Sequence, residues 1–260
     1  METQLFLVQQ SEKFVQKVYA DLSEEYETLP HEQTIILAVF RRILEKVDAV
    51  NVLVEKQCGK VIESLAREVL ESYWHLCYLL EDDTNFRTLS YYYFDKMGKA
   101  KSILTHTQHL KKIKPELECD TEIKKCEEMI EYLNNDSYFE EIRKEIENKG
   151  NPNPKWYSLK NKISNLSKLA EHLNFEDEYN TTYNLLSKEV HGLTSTGHIK
   201  MENEQTVIRP LRNMGEGEGI LMFCHVYLSY SLGKFVQYFR LDSEFAELQR
   251  EMYKRIQAEN

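Results

Sequence analysis

Apolar residues recur at three- and four-residue spacing along most of the chain, the period of helices that bury one face. Leu5, Phe6, Val8, Phe14, Val15, Val18 and Leu22 give such a face to a helix from Thr3 to about Tyr26. Pro30 separates it from a second helix through Ile35, Ile36, Val39, Phe40, Ile43, Leu44, Val47 and Val50, which Gly59 can end. A third helix begins at Lys60, carries Arg67 and Glu71, and runs to about Leu80. Glu81-Asp82-Asp83-Thr84 then supplies a cap and an acidic start to a fourth helix with Phe86, Leu89, Tyr92, Tyr93, Phe94 and Met97. The aromatic run Tyr91–Phe94 falls at helical spacing and reads as core packing rather than as a base-stacking surface.

From Pro115 to Gly150 the pattern thins to a narrow stripe, Ile123, Met129, Ile130, Leu133, Phe139, Ile142 and Ile146, within a Lys/Glu-rich background. This predicts a charged helical arm or lid at about 115–150, split in two by the capping-box pattern Ser137-Tyr138-Phe139-Glu140. Asn151-Pro152-Asn153-Pro154 is the clearest linker, and Ser158 is placed to cap a helix through Ile163, Leu166 and Leu169. A further helix covers Tyr179 to Gly192. Alternation from Ile199 to Ile208 about Glu202-Asn203-Glu204 predicts a short β-hairpin near 199–209. Ile220 to Phe239 is almost long and apolar enough to span a membrane. His225, Lys234 and Gln237 interrupt it, which favours a buried core helix and no membrane association. Asp242-Ser243 caps a last amphipathic helix. The sum is an all-α, multi-helix bundle of about eight or nine helices in a single domain over residues 1–260.

Composition agrees with that pattern. Nine glycines and five prolines in 260 residues leave long uninterrupted stretches, as helices require. A net charge of −10 argues against a broad non-specific nucleic-acid surface, because phosphates are bound by clustered Lys and Arg. The five cysteines are odd in number and lack Cys-x-x-Cys spacing, and no signal peptide is legible after Met1. Reduced thiols and a cytoplasmic location are the expectation.

Several familiar chemistries do not fit. Gly215-Glu216-Gly217-Glu218-Gly219 precedes a helix as phosphate loops do, but lacks the Lys-Ser/Thr pair and carries glutamates that repel anions. No Glu stands three residues before any His, which rules out the ligand pattern of carboxylate-bridged di-iron bundles. His106 and His109 share one helical turn without a carboxylate or Cys pattern and read as a surface pair. Neither a metal nor a cofactor is expected.

One polar set remains. Arg67 and Glu71 lie four apart on one helix face, where they can pair. Tyr183, Ser187 and His191 also recur every four residues and form a polar stripe on a helix that Gly192 would end. Facing each other, the two stripes would build a partly buried pocket. His191 could move protons, Arg67 bind a phosphate, Glu71 orient Arg67 and Tyr183 position substrate, with Ser187, Lys188 and Tyr73 completing a substrate-binding surface. The same groups could equally hold helices in register as a polar network.

At these residues the chain resembles a widespread bacterial family of helical proteins with an early Arg-x-x-x-Glu helix and a late Tyr-x-x-x-Ser-x-x-x-His-Gly helix, over roughly Leu65 to Leu193. More distantly it resembles the HEPN helical bundles, many of which are metal-independent ribonucleases of bacterial toxin–antitoxin and antiviral systems that act as dimers. Their catalytic Arg, four to six residues before a His on one late helix, has no counterpart before His191, where Lys188 is three residues away.

The resemblance implies a bacterial defence- or toxin-type protein acting on RNA or nucleotides, with metal-independent endoribonuclease activity as the candidate reaction. The competing expectation is a non-catalytic protein-interaction module of a defence or regulatory system, contacting its partner through the 115–150 arm. RNA or a nucleotide, a protein partner and a second copy of the chain are the partners these readings imply.

Overall fold

A computed structural model describes residues 2–58, 61–151, 153–190, 196, 199–202, 204–212 and 217–259, with the backbone alone at 189, 190, 200 and 259. The chain is an all-α multi-helix bundle with one short β-hairpin. It divides into two compact units, Met1–Glu81 with Leu173–Asn260, and Asp82–His172.

In the first unit α1 (Glu2–Glu25), α2 (His31–Glu55) and α3 (Ile62–Glu81) precede the divide. Pro30 starts α2 where its missing N–H costs nothing, and its carbonyl accepts both the backbone N–H (3.0 Å) and the hydroxyl (2.8 Å) of Thr34. After the divide come a single turn α8 (Glu176–Glu178), a π-helical turn (Tyr179–Tyr183), α9 (Asn184–Val190), strands β1 (Ile199–Glu202) and β2 (Gln205–Ile208), α10 (Glu218–Phe239) and α11 (Asp242–Glu259). Helices α2, α3 and α10 pack pairwise to form the core. Phe40 stacks on Phe235 at 4.3 Å between ring centres, and Ile36, Ile43, Leu70, Trp74, Leu76, Leu228 and Leu232 are fully buried around them. Burying each such side chain contributes about 1.5–3 kcal/mol before entropy is counted.

By length and composition α10 could cross a membrane, yet Cys224, Leu228, Leu232 and Phe235 are wholly buried within the unit. Its opposite side exposes Met222, Val226 and Tyr230. The helix ends with Arg240 in the left-handed conformation (φ 59°, ψ 43°). Leu241 N–H bonds to the Val236 carbonyl at 3.0 Å, and Arg240 N–H to that of Gln237 at 3.4 Å, which closes a Schellman motif. The hairpin forms where the alternation predicts it, pairing Ile199 with Ile208 and Glu202 with Gln205 in antiparallel register. Every described side chain on β1 and β2 is solvent-exposed, so the hairpin adds little core.

The second unit holds α4 (Thr84–Ile113), α5 (Asp120–Asn135), a 3-10 turn (Ser137–Phe139), α6 (Glu140–Asn148), a second 3-10 turn (Trp156–Ser158) and α7 (Leu166–His172). Its core gathers Phe86, Leu89, Tyr93, Met97, Leu133, Phe139, Ile142 and Leu159. The aromatic run of α4 is packing, as its spacing predicts: Tyr92 stacks on Phe139 at 6.2 Å and Tyr93 lies 5.6 Å from the same ring.

Three expected caps differ from those observed. Asp83 precedes α4 in a left-handed conformation and makes no side-chain cap; its carboxylate instead binds Lys160 Nζ at 3.1 Å. The break between α5 and α6 is real, but Asp136, not Ser137, caps it, accepting Tyr138 N–H at 2.8 Å. Asn165 rather than Ser158 caps α7, accepting Lys168 N–H at 2.9 Å, while the Ser158 hydroxyl turns back to the Lys155 carbonyl. Each correction has one cause: several Asx and Ser residues lie near each helix start, and the choice among them depends on the direction from which the chain enters. Gly215 and Glu216 of the glycine run lie outside the described residues, as does the predicted helix stop at Gly192.

Candidate functional site

Helix α3 presents Arg67 and Glu71 one turn apart, and the segment 179–190 runs against it. The sequence pattern predicts a regular helix here. The backbone instead widens into a π turn over Tyr179–Tyr183 before α9 resumes α geometry. Such turns are often found at functional sites, because the extra residue re-aims a side chain. Thr181 lies within this turn and bonds its hydroxyl to the Asp177 carbonyl at 2.6 Å.

The result is a closed three-membered network. Arg67 Nε–H is shared between Glu71 Oε1 at 2.9 Å and the Tyr183 hydroxyl oxygen at 3.0 Å. The Tyr183 hydroxyl in turn donates to the same Glu71 oxygen at 2.7 Å. The guanidinium also lies over the Tyr183 ring, with Cζ 5.1 Å from its centre. Both charged side chains are about four-fifths to three-quarters covered, with relative exposures of 21% for Arg67 and 26% for Glu71.

Protonation in the network is set by its surroundings. Burial, followed by the hydrogen bond and charge of Glu71, pushes the Tyr183 phenol up to about 12, although Arg67 pulls the other way. Tyr183 is therefore a neutral donor near pH 7 and not a base. For Arg67, burial works against the charge, but Glu71 and Tyr183 outweigh it and the pKa rises. The site thus holds a permanent cation, oriented through its inner nitrogen. Among the described residues neither terminal nitrogen of Arg67 has a protein partner. A fork of N–H donors is left for a planar or tetrahedral anion, the geometry in which guanidinium binds carboxylate or phosphate in bidentate fashion.

Aromatic rings brace the network from below. Tyr179 stacks on Tyr183 at 4.9 Å, and fully buried Trp74 contacts Tyr183, Tyr179 and Phe175 at 5.6, 6.2 and 6.3 Å. Among the described residues the Trp74 indole nitrogen has no hydrogen-bond partner. Phe175, Tyr179 and Tyr183 share a four-residue spacing with the polar stripe, and this signal in the sequence could have revealed the brace.

Of the predicted site residues, the fold brings Arg67, Glu71 and Tyr183 together. His191 lies outside the described residues, and with it the proton-transfer role assigned there. Among the described residues Ser187, half-buried, and Lys188, exposed, make no hydrogen bond to the network. Tyr73, two residues beyond Glu71, lies on another face of α3 and packs on Phe175, Tyr227 and Tyr230. His106 and His109 are both exposed, and among the described residues no three His, Cys, Asp or Glu side chains are placed to hold a metal ion.

Comparison with known proteins gives no match to a curated protein and none to a solved structure. A family model matches residues 33–206, a span that includes Arg67, Glu71 and Tyr183. Because that match covers well over half of the chain, the protein belongs to the family of unknown function DUF5677.

Proposed function

We propose that this protein acts on RNA or a nucleotide through the Arg67–Glu71–Tyr183 network, with Arg67 as the phosphate-binding group. The observation that carries the reading is the half-used guanidinium: its Nε is held by Glu71 and Tyr183, while the outer fork has no partner among the described residues. A structural ion pair has no need to leave that fork unspent, whereas an anion-binding arginine must. Glu71 acts as the orienting group, and Tyr183, whose hydroxyl proton is held by Glu71, helps fix the guanidinium.

In the catalytic form of this proposal the substrate 2′-oxygen attacks the adjacent phosphorus and the 5′-oxygen leaves. His191 takes the proton from the 2′-hydroxyl and returns one to the leaving oxygen, while Arg67 stabilises charge on the non-bridging oxygens. A defence- or toxin-type role is the biological setting proposed with it, on the resemblance to HEPN bundles.

The test incubates wild type, His191→Ala and Arg67→Ala with total cellular RNA and, separately, with a nucleotide panel, with and without EDTA. Folding is checked by circular dichroism. EDTA-resistant turnover that falls on the order of 100-fold or more in both variants is expected. No turnover and no nucleotide binding by wild type, with melting temperature lowered in Arg67→Ala, would leave the network a structural tie. The interaction-module reading would then be pursued by deleting residues 115–150 and looking for loss of a partner.

A further inference from the structure

We propose that the first unit carries a second binding site, for a small planar aromatic molecule bearing one anionic group, in the groove between α3 and α10. Two cavities, of about 520 and 390 Å³, meet there and share Tyr73, Lys234 and Gln237. Each alone lies within the range that small ligands occupy.

The lining sets the ligand class. Tyr73 is the ridge between the cavities, with Phe175 at 5.6 Å on one side and half-exposed Tyr230 at 6.2 Å on the other. These tilted rings offer faces against which a flat ring can stack. Cys77, one turn beyond Tyr73, adds a neutral wall, because burial pushes its thiol up despite the nearby Lys234. Tyr238 is not a free donor, since its hydroxyl is bound to Glu32 at 2.5 Å.

Lys234 sits where the cavities join and has no hydrogen-bond or ion-pair partner among the described residues. Gln237 and Asn174 add neutral amides without partners there. An anionic group therefore belongs at the centre of the groove. Glu81 also lines the larger cavity. With Lys234 as the cation shared by both cavities and a net charge of −10, the groove suits a single anionic group rather than polyphosphates or a nucleic-acid backbone.

The experiment is calorimetric titration of the full chain with AMP and with indole-3-acetate, which present the same chemistry from two sources. Adenosine, indole and inorganic phosphate each supply half of it. At least one aromatic anion is expected to bind, on the order of tenfold more tightly than its uncharged analogue, with inorganic phosphate showing no heat that depends on Lys234. Lys234→Gln, at an exposed position, should remove that tenfold preference, and Phe175→Leu should weaken binding of both the anion and its analogue. In Arg67→Gln, where the site proposed above is disabled, the binding that depends on Lys234 should persist, which separates the two sites. Absence of binding by both aromatic anions at millimolar concentration would overturn the proposal. So would affinity indifferent to Lys234→Gln, or loss of the Lys234-dependent binding in Arg67→Gln.

Discussion

Tyr183 donates its hydroxyl proton to Glu71 at 2.7 Å across 112 positions of sequence, and this bond closes the polar network onto α3. Glu71 Oε1 also accepts from Arg67, so one carboxylate oxygen fixes both a phenol and a guanidinium. Removing the hydroxyl should cost more than a surface contact, because both partners are largely covered. Tyr183→Phe is expected to lose about 1 kcal/mol of unfolding free energy, read as a lower urea midpoint with an unchanged slope. No change in midpoint would mean that the bond is replaced by water.

Stability should fall as the solution is acidified through the range of neutral histidine. Burial holds His225 and His75 down at about 4, with Arg42 adding to the effect on His75. Both are neutral in the folded chain, while the unfolded chain takes up their protons near 6.5. Their contribution is therefore complete above about pH 6.5 and is lost as pH falls from there towards about 4. Urea midpoints at pH 7 and pH 5 should show the drop, and His225→Gln should make it shallower. An identical drop in the variant would remove His225 from the account.

Asp136 should matter more than Ser137 at the junction of α5 and α6. The Asp136 carboxylate takes Tyr138 N–H at 2.8 Å, and Arg143 Nη1 bonds the Leu133 and Asp136 carbonyls at 2.9 Å each. Asp136→Ala is expected to cost about 1 kcal/mol, with faster amide exchange at the start of α6. Ser137→Ala should stay within about 0.5 kcal/mol of wild type.

Arg240→Gly should stabilise the protein. Arg240 is exposed and held at φ 59°, a conformation that favours glycine, at the Schellman turn ending α10. Relief of that strain exceeds the greater freedom glycine adds to the unfolded chain, for a net gain on the order of 0.5–1 kcal/mol. A thermal scan that gives a lower melting temperature would show that the Arg240 side chain contributes more than its backbone strain costs.

Packing of the first unit gives the largest expected effect. Phe235 is fully buried and stacked on Phe40 at 4.3 Å, so Phe235→Ala should lose about 3–5 kcal/mol. Near-wild-type stability in that variant would mean that α2 and α10 close over the void.

The sequence by itself determined the elements and their buried faces. Period-3.6 apolar stripes marked the helices of the bundle apart from the single acidic turn α8, alternation marked the hairpin, and i, i+4 spacing placed Arg67 beside Glu71, because these patterns follow from backbone geometry alone. Tertiary structure decided which Asp, Asn or Ser caps each helix, since several local donors and acceptors compete and the entering chain selects one. It also decided that Tyr183 reaches Glu71, through a π turn that no residue between Tyr179 and Tyr183 announces. The groove around Lys234 was hidden for the same reason. Tyr73, Phe175 and Lys234 are unremarkable singly, and they become a site only when α3, the segment after Leu173 and α10 are packed side by side.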